Sequence, residues 1–125
     1  MTEDKQPTNS HGKICYIEIP ALEIDASAAF YKEVFGWEIR KRGDGQLAFH
    51  DGVEVSGTWV LGPTPAIEPS MLIYIMVDTI AATLKAVVAN GGKVVQPMGM
   101  DAPEKTARFS DPAGNVLGLG EIGGV

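Results

Sequence analysis

The chain has 125 residues, 45% of them hydrophobic and 21% charged, enough for one compact domain with its own core. A net charge of −6 leaves no basic face for phosphate neutralisation and speaks against nucleic acid. Cys15 is the sole cysteine, so no intrachain disulfide forms, and no run approaches the roughly 18 apolar residues of a membrane helix.

The polar opening "MTEDKQPTNSHGK" has no apolar export segment, which predicts a disordered leader over residues 1–12, His11 included, and a cytoplasmic protein. Next comes "KICYIEIPA", which alternates as a strand. Cys15, Ile17 and Ile19 share one face, and Tyr16, Glu18 and Pro20 the other. "IDASAAFYKEVF" carries apolar residues at helical spacing through Ala26, Phe30 and Val34, and Gly36 stops it. "GWEIRKR", "QLAFH" and "VEVSGTWVL" predict three further strands.

The pattern then repeats. "MLIYIMV" is a strand, and "TIAATLKAVVANG" is a helix striped by Ile80, Leu84, Val87 and Val88, with Asp78 as its expected N-cap. "GKVVQPM", "KTARFS" and "NVLGLGEI" complete the strands. An offset of 56 carries Tyr16 to Leu72, Glu18 to Tyr74, Ile24 to Ile80 and Gly36 to Gly92. It drifts to 60 by Phe49–Asp51 and Phe109–Asp111, through extra residues in a hairpin loop. The chain is therefore an internal duplication.

The predicted fold is α+β, two tandem βαβββ units whose curved mixed sheets form a partial barrel around a cavity. One domain spans residues 13–123, with unit one at 13–62, a proline-marked joint at 63–70 and unit two at 71–123. Cys15, Ile17, Ile19, Ile73, Ile75 and Val77 are expected to face the helices. Tyr16, Glu18, Tyr74 and Met76 then face the concavity.

"YIEIPALEIDASAAFYKEVFGWEI", "YIMVDTIAATLKAVVANGGKVVQP" and "ARFSDPAGNVLGLGE" together resemble the vicinal oxygen chelate superfamily, which holds glyoxalase I, extradiol dioxygenases and bleomycin-resistance proteins. The likeness runs from about Lys13 to Ile122 and is closest to the branch described as related to lactoylglutathione lyase. It implies the fold more than a reaction. In metal-dependent members, His, Gln or Glu ligands stand on the opening and closing strands of each unit. Here the resemblance places Tyr16, Leu72, Gly118 and Ser56 or Gly57 at those positions. None of them supplies an imidazole or carboxylate, so no metal ligand and no cofactor is predicted.

Glu18 is the candidate catalytic residue: a carboxylate in an apolar concavity has its pKa raised and suits a general base. The bland alternative is a solvated strand carboxylate, or one paired with Arg108. Tyr16, Glu18, His50, Tyr74 and Arg108 form the candidate ligand-binding set, with the tyrosines as an aromatic wall and Arg108 able to hold a carboxylate, or else to pair with Glu18 or Glu54. A lone histidine at a strand end, as His50 is, is more often a surface or hydrogen-bonded residue than a ligand. Cys15 reads as a buried small hydrophobe, and Glu121 as turned away from the cavity.

Three functional readings stand. The first is a metal-free protein that binds a small molecule in its cavity. The second is a lyase, isomerase or oxygenase with a displaced divalent-metal site built from Glu18, His50 and Glu54. The third is a non-catalytic interaction module. The resemblance further implies a homodimer, with units arranged within or exchanged between chains, and neither nucleic acid nor membrane is an expected partner.

Overall fold

A computed structural model describes residues 10–52 and 54–122 of the chain. Residues 1–9 of the expected leader lie outside the described residues. Unit one runs β1 (Tyr16–Pro20), α1 (Ile24–Phe35), β2 (Glu38–Lys41), β3 (Leu47–His50) and β4 (Ser56–Val60). Unit two runs β5 (Tyr74–Val77), α2 (Ile80–Ala89), β6 (Lys93–Gln96), β7 (Thr106–Ser110) and β8 (Val116–Glu121). The two tandem βαβββ units and the α+β class are as expected.

Each unit forms its own four-stranded sheet, in the orders β1-β4-β3-β2 and β5-β8-β7-β6. The first strand lies parallel to the last, and the other pairings are antiparallel. The duplication extends to the turns: Asp51 N–H donates to Val55 O at 3.0 Å, and Asp111 N–H to Asn115 O at 2.9 Å. The sheets do not close on each other. Among the described residues, β1 and β5 each keep one edge without a hydrogen-bonded neighbour.

The helix-facing sides of both sheets share one core. Phe30 and Tyr31 of α1, Phe49, Trp59, Ile80, Val87, Phe109 and Leu119 are its largest fully buried members. Phe30 bridges the units, its ring 5.9 Å from that of Phe109. Tyr31 and Trp37 stack at 4.7 Å, and Trp37 on Phe49 at 4.6 Å. Gly92 permits this closeness: a Cβ there would come within 2.5 Å of Ser110 O and 2.9 Å of the Phe30 ring.

Several local expectations change. Ile19 is buried and Ile17, Ile75 and Val77 are half-buried, but Ile73 is exposed, because β1 and β5 are edge strands with nothing laid over their outer side. Cys15 is exposed, not buried, since it precedes the first residue of β1. Asp78 does not cap α2. Thr79 holds the N-cap position without a side-chain bond, and Glu121 Oε1, from the end of β8, accepts the Ile80 N–H at 2.9 Å. Glu121 thus faces the helices, as its strand parity requires, and Lys105 Nζ lies 3.5 Å from its other oxygen.

The strongest polar tie between the units is buried. Tyr31 Oη donates to Asp111 Oδ2 at 2.8 Å. Asp111 Oδ1 accepts the backbone N–H groups of Ala113, Gly114 and Asn115, each at 3.0 Å. Asn115 Nδ2 donates to Pro20 O at 2.7 Å and to Asp111 Oδ2 at 2.9 Å, and its Oδ1 accepts from Ala66 N–H at 2.7 Å. One turn of unit two is thereby fastened to α1, to the end of β1 and to the joint between units. Burial, the Asp111 charge and the hydrogen bond, in that order, hold the Tyr31 phenol well above its ordinary pKa.

Candidate functional site: a cleft between the two units

Because β1 and β5 are both free edges, a gap remains between them. It is a half-open cleft of about 850 Å³, within the usual range for a small-molecule site. Ile17 and Ile19 form one wall. Ile73, Ile75 and Val77 form the other, and Ala82, Thr83 and Ala86 of α2 extend it. Phe35, Trp37 and Phe49 border it from unit one, and Met71 and Met76 from unit two.

Of the predicted site residues, the cleft brings together Glu18 and Tyr74. Glu18 is exposed and makes no ion pair among the described residues, so the burial that the general-base reading required is lacking. Tyr16 and His50 flank Ser56 on one row across the first sheet, on the face turned from the core. Tyr16 is half exposed, and its hydroxyl accepts a 3.1 Å bond from Arg42 Nη1. Arg108 lies on the corresponding face of the second sheet, beside Gly118, and borders a separate hollow with Glu68, Leu72 and Val95. It pairs with neither Glu18 nor Glu54; its Nε is buried without an acceptor among the described residues, while Glu54 holds Lys13 Nζ at 2.9 Å.

The strand register revisits the four ligand positions. Tyr74 pairs with Gly118 as Glu18 pairs with Thr58, so Thr58 is the first-unit counterpart of Gly118, in place of Ser56 or Gly57. The Thr58 hydroxyl is committed to Leu47 O at 2.5 Å. The Tyr74 ring lies across Gly118, where a Cβ would come within 2.5 Å of it. These residues do not fit the divalent metal of the metal-dependent members: the donors are absent and a ring fills the space of one. Among the described residues, no three His, Cys, Asp or Glu side chains gather into a metal-holding group, and Glu18, His50 and Glu54 do not assemble one.

Comparison with known proteins accords with this architecture. A model of the glyoxalase/bleomycin resistance protein/dioxygenase superfamily matches residues 13–119. The chain belongs to that superfamily. A glyoxylase-like domain-containing protein of Didymella fabae is 31% identical over 91 residues, covering 66% of this chain and 71% of the relative. A hypothetical protein from S. aureus superposes with a TM-score of 0.71 at 18% identity, over 90% of this chain and 99% of that one. TnmS3, an antibiotic binding protein from Streptomyces sp. CB03234, superposes with a TM-score of 0.65 at 24% identity, over 91% and 98%. At such identities the structural likeness shows the fold alone. Within this glyoxalase-type fold, sequence reasoning missed the aromatic border of the cleft, although "FYKEVFGW" carries both Phe35 and Trp37.

Proposed function

We propose that the chain is a small-molecule-binding member of the superfamily that works without the family's metal and holds its ligand between its two units. The observation that carries this reading is the cleft itself, about 850 Å³ walled by aliphatic and aromatic side chains, with Glu18 and Tyr74 at its border. The residues at the ligand positions support the metal-free half of the proposal. The antibiotic-binding character of TnmS3 gives a precedent on the same fold. An open cleft also weighs against a pure interaction module, for which a cavity plugged by its own side chains is expected.

Metal analysis of the tag-free chain, repeated after incubation with manganese, iron, nickel and zinc, tests the first half. A stoichiometric metal with Kd near 1 μM, about −8 kcal/mol, refutes it and revives the displaced-site enzyme. Titration with small apolar compounds, followed by heat release, tests the second half.

A cytoplasmic homodimer is the accompanying proposal. Tyr16, 47% exposed on the face of the first sheet turned from the core, supports a second copy as the occupant of that face. Such a copy would cover the faces that carry Tyr16, His50 and Arg108. Light scattering on the purified chain reads the oligomeric state directly. Among the described residues, no helix is long and apolar enough to cross a membrane.

A further inference from the structure

We infer that the cleft selects an apolar organic cation: an amine or quaternary ammonium carried on an aromatic or branched aliphatic body. This deepens the small-molecule reading and rests on it. Among the described residues, the charged side chains that border the cleft are Glu18, Asp51 and Asp78, and no lysine, arginine or histidine borders it. Glu18 and Asp78 make no ion pair among the described residues. Asp51 is held in place at the border, its Oδ1 accepting the N–H groups of Glu54 at 3.1 Å and Val55 at 2.9 Å. A border of one sign along low-dielectric walls focuses a negative potential into the gap, and the net charge of −6 reinforces it.

The interior suits the other end of such a ligand. Tyr74, 47% exposed, and Phe35 offer rings, whose faces attract cations as well as apolar groups, while Trp37, stacked between Tyr31 and Phe49, backs the wall. Met71 and Met76 add adaptable thioether surface, 84% and 72% exposed in the single chain. An anion of the same shape meets repulsion from three carboxylates, and a neutral compound gains only the apolar part. The ligand class follows from that difference.

The test is a matched series titrated into the full chain: naphthylmethyl-trimethylammonium, naphthylmethanol and naphthylacetate. The cation is expected to bind about tenfold more tightly than the alcohol, with the acetate weakest. That gap should shrink at about 0.5 M salt, where charges are screened within a few ångströms. Joint replacement Glu18→Gln and Asp78→Asn should weaken the cation about tenfold and leave the alcohol unchanged. Ala82→Trp, which fills the cleft from α2, should abolish binding of both.

Equal affinity for the three probes overturns the inference while leaving the small-molecule reading intact. Failure of all three to bind overturns both. Cation binding that survives Ala82→Trp places the site elsewhere and also overturns the inference.

Discussion

Tyr31 of α1 donates its phenol hydrogen to Asp111, 80 residues away in the other unit, and both groups are buried. The phenol is the sole side-chain donor from unit one to this carboxylate among the described residues, and the bond crosses the boundary between units. Removing it with Tyr31→Phe should cost about 1.5–3 kcal/mol, the usual worth of a hydrogen bond to a buried charged group. Urea unfolding of the two proteins reads the difference.

The same pair sets an alkaline limit. The folded-state pKa of Tyr31 is raised, so its contribution is complete below the unfolded value of about 10 and is lost as pH rises above it. Stability should therefore fall above about pH 10 more steeply in the native chain than in Tyr31→Phe. Unfolding midpoints measured across pH 8 to about 11 compare the slopes.

Asn115 holds three separate segments: the end of β1 through Pro20 O, the joint through Ala66 N–H, and Asp111. Asn115→Ala leaves the half-buried Pro20 carbonyl and Ala66 N–H without their side-chain partner. It should lose about 2–4 kcal/mol, visible as a lower melting temperature and faster proteolysis of the 63–70 joint.

Gly118→Glu puts a carboxylate where metal-dependent relatives keep one. The ring of Tyr74 occupies the space of the new Cβ, so the expected result is a loss of about 1–3 kcal/mol and no manganese binding by calorimetry. Metal binding by this single variant would show that the ring moves aside freely.

Glu121→Ala should cost about 1–2 kcal/mol, because the first turn of α2 loses the acceptor for the Ile80 N–H. Loss of amide protection confined to the start of α2 in hydrogen exchange would be the local sign. Glu121→Gln should retain most of the bond.

Much of this molecule was legible in the residues. Alternation marked β1, strand-like runs marked the other seven strands, the apolar stripe marked both helices, and the match of Asp51 to Asp111 marked the repeat. The offset drift also has its cause: five residues join β2 to β3, nine join β6 to β7. What stayed hidden depends on partners far along the chain. Tyr31 reads as one more apolar residue beside the helix stripe until Asp111 is seen beneath it. Asn115 reads as a turn residue, the exposure of Ile73 follows from which strands end up at sheet edges, and that of Cys15 from where β1 begins. A concavity between the units, with Glu18, Tyr74 and Met76 toward it, was legible, but its aliphatic walls of Ile17, Ile19, Ile73, Ile75 and Val77 were not, since no local pattern states how far apart β1 and β5 will stand. The readable signal for the charge at its border was the acids themselves, each lying at or just past a strand.

Tyr31 falls, at the offset of 56, on Val87, which has no hydroxyl, and Asp51 lies exposed where Asp111 is buried. The repeat has therefore diverged in chemistry while keeping its backbone. Two tandem copies of the first half would set each phenol against Asp51, the counterpart of Asp111. Two copies of the second would bury carboxylates with no phenol to receive. The second half therefore depends on the first for the donor that its buried carboxylate receives.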